Sequence, residues 1–275
     1  MSEVVGGFLM PHDPLIAAAP DAAKPEQRDA VMEAFAYIAR RLDELQVDTV
    51  VAIGDDHYTV FDPHCIPRCL VAIGDVDGPI EPWVGIPKAP VKTDPELAQH
   101  IMQTGFDNGV DWAVAKSLTI DHSVMIPIHY AVRPNPGIAT VPIYVNAGVA
   151  PLISNQRAHQ IGQVVRQALD NWTEPRRIAI FGTGGISHWV GMAEMGRVNV
   201  EWDNEILTYI EQGNVQALLD LDDGEIIENG GNGALELKNW MVALGILGQY
   251  AAETLAYEPI PEWVCGCGFT ELKAA

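Results

Sequence analysis

At 275 residues, 48% of them hydrophobic and with Gly and Pro spread along the length, the chain has the composition of a compact enzyme and not of a disordered polypeptide. Acidic side chains outnumber basic ones 37 to 16, for a formal charge of -21, which opposes phosphate backbones and anionic lipid and argues against nucleic acid or a membrane surface as partner. No run approaches the ~20 apolar residues of a membrane span, and the first residues, MSEVVGGFLMPHDP, lack the basic and long apolar regions of a secretion signal, so a cytoplasmic protein is expected.

In chain order, Val4 to Met10 is apolar and runs into Pro11-His12-Asp13-Pro14, which reads as a buried strand broken by prolines with His12 at its end. From Pro25 to about Gln46, Val31, Phe35, Ile38, Leu42 and Leu45 recur at helical spacing, and the strand Asp48 to Gly54 then ends at Asp55-Asp56-His57. Between Phe61 and Val91 the density of Pro, Gly and Asp predicts a loop-rich excursion with one short strand, Cys69 to Ile73, before a helix from about Asp94 to Gly105. Leu118 to Ser123 reads as a polar turn carrying His122 into an apolar stretch. A strand near Ile138 to Val145, a helix near Asn155 to Trp172 and a strand Arg177 to Gly182 follow, the last running through Thr183-Gly184-Gly185 to Ser187-His188. Acidic helices are expected near Glu201 to Gln212 and Val215 to Leu221. Gly230 to Gly233 then lead into a long helix, Ala234 to about Leu255, apolar nearly all round and therefore buried, with Glu236 in its first turn. The succession predicts an α/β fold, a doubly wound mixed or parallel sheet flanked by helices. No repeat or linker divides it, so one domain over residues 1–275 is expected.

His12, His57 and His188 each follow a strand, where the loops of an open α/β sheet form the ligand crevice. Taken singly they are ambiguous: His12 suits a turn bonded to a backbone carbonyl, and His57 a solvated loop. Glu236 suits a salt bridge, since a carboxylate in a buried helix must be paired or bind a metal. Together, two neutral imidazoles and one carboxylate from separate elements form a facial triad with an open side, for which Fe(II) fits best. Zinc on the same ligands would generate hydroxide, so a metal-dependent hydrolase or lyase is the alternative. The HExxH, GxSxG, GxxxxGK[ST] and GxGxxG signatures are all absent. His122 and His188 stand beside hydroxyl residues, His188 behind two glycines, and suit proton exchange near neutral pH. His64, His100, His129 and His159 read as structural or surface residues. Cys65/Cys69 and Cys265/Cys267 lack CxxC spacing and read as reduced thiols, with a zinc site shared between the pairs as the alternative.

The ordered motifs GGFLMPHDP, GDDHYTVF, IDHSVMIP, GGISHWV and GGNGALELKNWM resemble those of the class III extradiol ring-cleaving dioxygenases, the family of the protocatechuate 4,5-dioxygenase catalytic subunit, over nearly the whole chain. The resemblance implies that His12, His57 and Glu236 hold Fe(II), that His188 is the acid/base and that His122 lines the oxygen side. It implies a catecholic substrate such as protocatechuate, gallate or an O-methylgallate, opened by meta cleavage with O2, and a homo-oligomer. Some members of the family work with a separate small helical subunit that closes the pocket. No stretch here resembles that subunit, so the substrate-carboxylate site does not carry over, and Arg and Lys are too scarce to place one.

Overall fold

The computed structural model describes residues 2–274. Its strands are β1 (Glu3–Met10), β2 (Thr49–Gly54), β3 (Cys69–Gly78), β4 (Ala89–Val91), β5 (Ala113–Thr119), β6 (Ala139–Val145), β7 (Arg177–Thr183), β8 (Tyr250–Ile260) and β9 (Cys265–Ala274). Its helices are α1 (Leu15–Ala18), α2 (Pro25–Glu44), α3 (Pro95–Asp107), α4 (His122–Pro127), α5 (Asn155–Asn171), α6 (Val200–Glu211), α7 (Val215–Asp220), α8 (Asp223–Gly230) and α9 (Leu237–Leu247). All nine strands join one mixed sheet in the order β4-β3-β6-β2-β7-β1-β9-β8, with β5 paired to β3. The centre, β6-β2-β7-β1, is parallel throughout, and β3 and β9 flank it antiparallel.

Alternation along the central strands sends side chains to two cores. Phe8, Met10, Val50, Ala52 and Phe181 pack on one face with Val31, Phe35 and Ile38 of α2. Leu9, Val51, Ile53, Ile178 and Ile180 pack on the other with Ile161 and Val165 of α5 and with the wholly buried α9. With both faces covered, β2 and β7 are apolar without a polar stripe. The crossover from β1 through α2 to β2 runs one way along the sheet, and that from β6 through α5 to β7 returns on the opposite face, as right-handed connections require. The sheet is therefore doubly wound and mixed, and the carboxyl ends of β1, β7 and β2 lie side by side in the region where ligands settle in such folds.

The departures from expectation lie outside this centre. The helix expected to reach Leu255 stops at Leu247, where Gly248 adopts φ 67° and its N–H bonds to Leu244 O at 2.9 Å. Tyr250–Ile260 is instead strand β8, the outer strand of a hairpin whose inner strand, β9, pairs with β1. Its sequence YAAETLAYEPI is rich in helix-forming Ala, Glu and Leu, and pairing overrides that local preference. Strand β3 continues through Gly78, beyond the expected Ile73, and β5 occupies a partly exposed, polar-interrupted stretch. Glu236 lies in the 3-10 turn Gly233–Glu236 that precedes α9, not in the helix itself. No helix of the described residues is long and apolar enough to cross a membrane.

Candidate metal centre

The residues singled out in sequence converge on one cavity of about 330 Å³ at the carboxyl ends of β1, β2 and β7, lined among others by His12, His57, His122, His188 and Glu236. His12 follows the proline that breaks β1. The Thr183 hydroxyl donates to Ile53 O at 2.8 Å, so its oxygen is the acceptor for His12 Nδ1–H at 2.9 Å. The other ring nitrogen, Nε2, is then a buried lone pair without a hydrogen-bond partner, 3.2 Å from Glu236 Oε2. His57 repeats the arrangement. Its Nδ1–H donates to Asp121 Oδ2 at 3.1 Å, and its Nε2 lies 3.1 Å from Glu236 Oε1.

Glu236 is brought in by glycine backbone. Gly184 takes φ +140°, and a Cβ there would lie 2.8 Å from Glu236 Cβ, so a larger residue would displace the carboxylate. The next amide, Gly185 N–H, donates to Glu236 Oε2 at 3.1 Å. Asp55 accepts from Asn239 Nδ2 at 2.7 Å and stands 4.0 Å from Nε2 of both His12 and His57. His12, Asp55, His57 and Glu236 thus offer ligand atoms within 4.8 Å of one another, as do His12, His57 and His122.

A lone pair facing a carboxylate is unfavourable unless something positive sits between them. Burial opposes a proton on His57, but the carboxylates of Asp55, Asp121 and Glu236 outweigh it and hold its pKa well above the ordinary value. Burial by itself would raise Glu236, and the neighbouring His12 and His188 instead take it well below the carboxylate range. Asp55 is pushed up to about 6 by burial. This is a site with more acceptors than protons, and a divalent cation bound by neutral imidazoles would satisfy it. The outward nitrogens are tied to a hydroxyl and a carboxylate, as in metal-bound histidines. Ligand-atom separations of 3.1 and 3.2 Å approach the ~3.0 Å edge of an octahedron with ~2.1 Å bonds. An N, N, O donor set without thiolate suits iron, manganese or zinc.

His122 opens α4, which Asp121 caps by accepting from Ser123 N at 3.2 Å. Its Nδ1–H donates to Glu81 Oε1 at 2.6 Å and its backbone N–H to Glu81 Oε2 at 2.8 Å, leaving Nε2 free of both. Burial, reinforced by nearby His57, lowers its pKa. His188 donates Nδ1–H to Ile186 O at 3.2 Å, and its Nε2 lies 3.4 Å from Glu236 Oε1. Burial pulls its pKa down, but Glu236 raises it more. Its ring rests on Gly233, where a Cβ would come within 2.0 Å of Cδ2. Asp13, also lining the cavity, accepts from Leu15 N at 2.7 Å, and burial pushes its carboxyl up to about 7.

Thr183, Asp55, Asp121, Glu81, Asn239 and Asp13 were not picked out as site residues from the sequence. Asp55 and Asp121 stand within two residues of a site histidine in DDH and DH, and Asn239 follows Glu236 at the i+3 spacing that shares a helical face. Glu81 has no such signal, since it reaches His122 from a proline-rich loop 41 residues away. The remaining histidines sit elsewhere: His64 is exposed against Asp62, His100 bonds to Ala168 O, His129 to Arg133, and His159 lies half-buried on α5. All four cysteines are free. The shared zinc site is excluded, because Cys69 on β3 and Cys265 on β9 are separated by the four strands β6, β2, β7 and β1.

Residues 6–269 match the model of a protein family described as the catalytic LigB subunit of aromatic ring-opening dioxygenase. The chain is 25% identical to a 2,3-dihydroxyphenylpropionate/2,3-dihydroxicinnamic acid 1,2-dioxygenase of Photorhabdus laumondii, with 93% of each protein covered. It is also 25% identical to the enzyme of that name from Klebsiella pneumoniae, over 94% of this chain and 95% of the relative. The crystal structure of the uncharacterized protein JW3007 from Escherichia coli K12 superposes with a TM-score of 0.58 over 97% of this chain and 99% of that one, at 12% identity, and so shares the fold. These relatives decide between the two chemistries that the donor set left open, hydrolysis and oxygenation. The chain belongs to the LigB family of aromatic ring-opening dioxygenase catalytic subunits and is an extradiol ring-cleaving enzyme.

Proposed function

We propose that this enzyme is Fe(II)-dependent, that His12, His57 and Glu236 hold the iron, that His188 is the acid/base and that His122 faces the dioxygen. The observation that carries the assignment is the buried Nε2 of His12, unpartnered and 3.2 Å from a carboxylate oxygen, with its Nδ1–H already fixed by Thr183. When bound, iron supplies Lewis acidity toward the two phenolic oxygens of a catechol and the redox chemistry that O2 needs to react with the ring. Both oxygen atoms end in the ring-opened oxo acid, so no external reductant is required.

The protein's own groups supply position and protons. His188 Nδ1–H is committed to the Ile186 carbonyl, so Nε2 is the atom that takes a phenolic proton and later returns it. The Glu236 carboxylate beside it favours the imidazolium that results. Glu81 fixes the His122 ring through Nδ1, so that Nε2 is the nitrogen available to dioxygen in the cavity. Asp55 and Asn239 hold the face of the cluster next to Glu236 and Thr183.

The test is anaerobic reconstitution with Fe(II), Mn(II) or Zn(II), followed by a panel of catechols under air, including protocatechuate, gallate, 3-O-methylgallate, 2,3-dihydroxyphenylpropionate and the uncharged methyl ester of the last. Iron is expected to give stoichiometric oxygen uptake and a yellow ring-opened product. Equal activity with zinc would overturn the assignment of iron.

A further inference from the structure

We propose that the catechol this enzyme opens carries an uncharged side group, an inference that rests on the ring-cleaving reading above and narrows it. Among the described residues lining the cavity none is Lys or Arg, and the charged groups there besides the histidines are the acids Asp13, Glu81 and Glu236. A substrate carboxylate leaving water needs a cation or a set of free N–H donors. Three backbone donors of the lining are already used by those same acids: Leu15 N–H by Asp13, His122 N–H by Glu81 and Gly185 N–H by Glu236. The cation closest in sequence to the rim, Arg197, is stacked on the Trp189 ring at 4.5 Å.

The rim is suited to a different group. Trp83, Val190 and Met195 line the cavity yet remain 57%, 51% and 58% exposed, so apolar surface there waits to be covered. An alkyl or aryl substituent on the ring would bury it, whereas a carboxylate would meet no cation, only the Thr59 hydroxyl as an uncommitted side-chain donor, and the like charge of Glu81. The relatives are named for 2,3-dihydroxyphenylpropionate, which carries a carboxylate; this cavity favours its uncharged analogues.

The experiment compares 2,3-dihydroxyphenylpropionate with its methyl ester, which keeps the ring and chain and removes the charge. Binding to the iron-loaded enzyme is measured anaerobically by tryptophan fluorescence, and kcat/KM by oxygen uptake. The ester is expected to bind and turn over at least ~100-fold better than the acid. Equal or better binding of the acid would overturn the inference. Oxygen uptake with neither compound would overturn the ring-cleaving reading, while the binding ratio still decides the charge preference. Met195→Arg adds a cation at an exposed rim position and is expected to shift the ratio toward the acid by about fivefold, the worth of one exposed ion pair; an unmoved ratio counts against the inference. Arg197→Ala is expected to leave the ratio unchanged. A selective loss of acid binding would show that Arg197 reaches the carboxylate, and the inference would fall.

Discussion

At the floor of the cavity every imidazole has its second nitrogen tied down, His12 to Thr183, His57 to Asp121, His122 to Glu81 and His188 to Ile186 O, whereas at the rim the side chains of Trp83, Val190 and Met195 stand more than half exposed. The floor is over-determined: a ring held at one nitrogen presents the other in a single direction, so the cluster exists before any ion or substrate arrives. The rim is held at the backbone, as where Val190 N–H donates to Asn232 Oδ1 at 2.9 Å, but its side chains are free to vary. The contrast separates two jobs. The floor sets which chemistry is possible, and the rim sets which ring is accepted. Substitutions at the floor should therefore act on metal content and kcat, and substitutions at the rim on KM and selectivity.

The largest effect is expected from Glu236→Ala, which removes the carboxylate facing His12, His57 and His188. Metal analysis should find the iron gone and oxygen uptake should be at background, with His12→Ala behaving the same way. Full activity in Glu236→Ala would show that the floor does not work as one centre. His188→Gln comes next. It is expected to keep iron and catechol binding and to lower kcat by roughly 10²–10⁴-fold, the usual worth of a positioned general acid/base. Loss of iron in that variant would move His188 from proton transfer to ligation.

The floor was more legible in the sequence than the rim, for physical reasons. His12, His57 and His188 follow strands whose apolar runs are unmistakable because both faces of the sheet centre are buried. Glu236 stood out as an acid in an apolar segment. The partners that orient those residues were harder to see. Thr183 and Asp121 act across 171 and 64 residues of chain, separations that no local pattern reports. The β8–β9 hairpin was hidden for the opposite reason, since local preference in β8 pointed to helix and only its pairing with β9, itself paired to β1, makes it sheet. The cavity wall that includes Val264 and Cys265 comes from that hairpin and its turn, so the shape of the pocket was hidden along with it.

Asp203 joins the two regions. It is fully buried and accepts from Ser187 N at 2.9 Å, Ser187 Oγ at 2.9 Å and Tyr257 Oη at 2.6 Å, holding the segment that carries His188 to the floor and Val190 to the rim. Burial, only partly offset by those bonds, pushes its carboxyl from 3.8 up to about 6. A carboxyl raised in the folded state stabilises the fold fully below its unfolded pKa, and that contribution is lost as pH rises through the folded value. At 1.36 kcal/mol per unit, and with part of the loss already incurred at pH 4, the wild type should lose about 2 kcal/mol relative to Asp203→Asn between pH 4 and pH 7. Urea midpoints of the two proteins across that range measure the difference. A constant gap would mean that Asp203 is ionised at no cost in the fold.

The smallest effect expected at the floor is also its sharpest test, because it changes no ligand. In Thr183→Val the side chain keeps its shape but loses the oxygen that accepts from His12 Nδ1–H and the proton that goes to Ile53 O. The ring is then free to carry its proton on Nε2, the atom that faces Glu236, and each such molecule cannot bind metal through His12. Loss of a partner of this kind typically costs 10–100-fold in metal affinity. The variant should need correspondingly more Fe(II) to reach half-maximal activity. At saturating iron its kcat and its preference between charged and uncharged catechols should match the wild type, because neither His188 nor the rim has been touched. Thr183→Ser, which restores the oxygen, should recover the affinity. A fall in kcat at saturating iron would mean that Thr183 tunes the reaction itself and not merely the direction of His12, and the division of labour between floor and rim would need a third part.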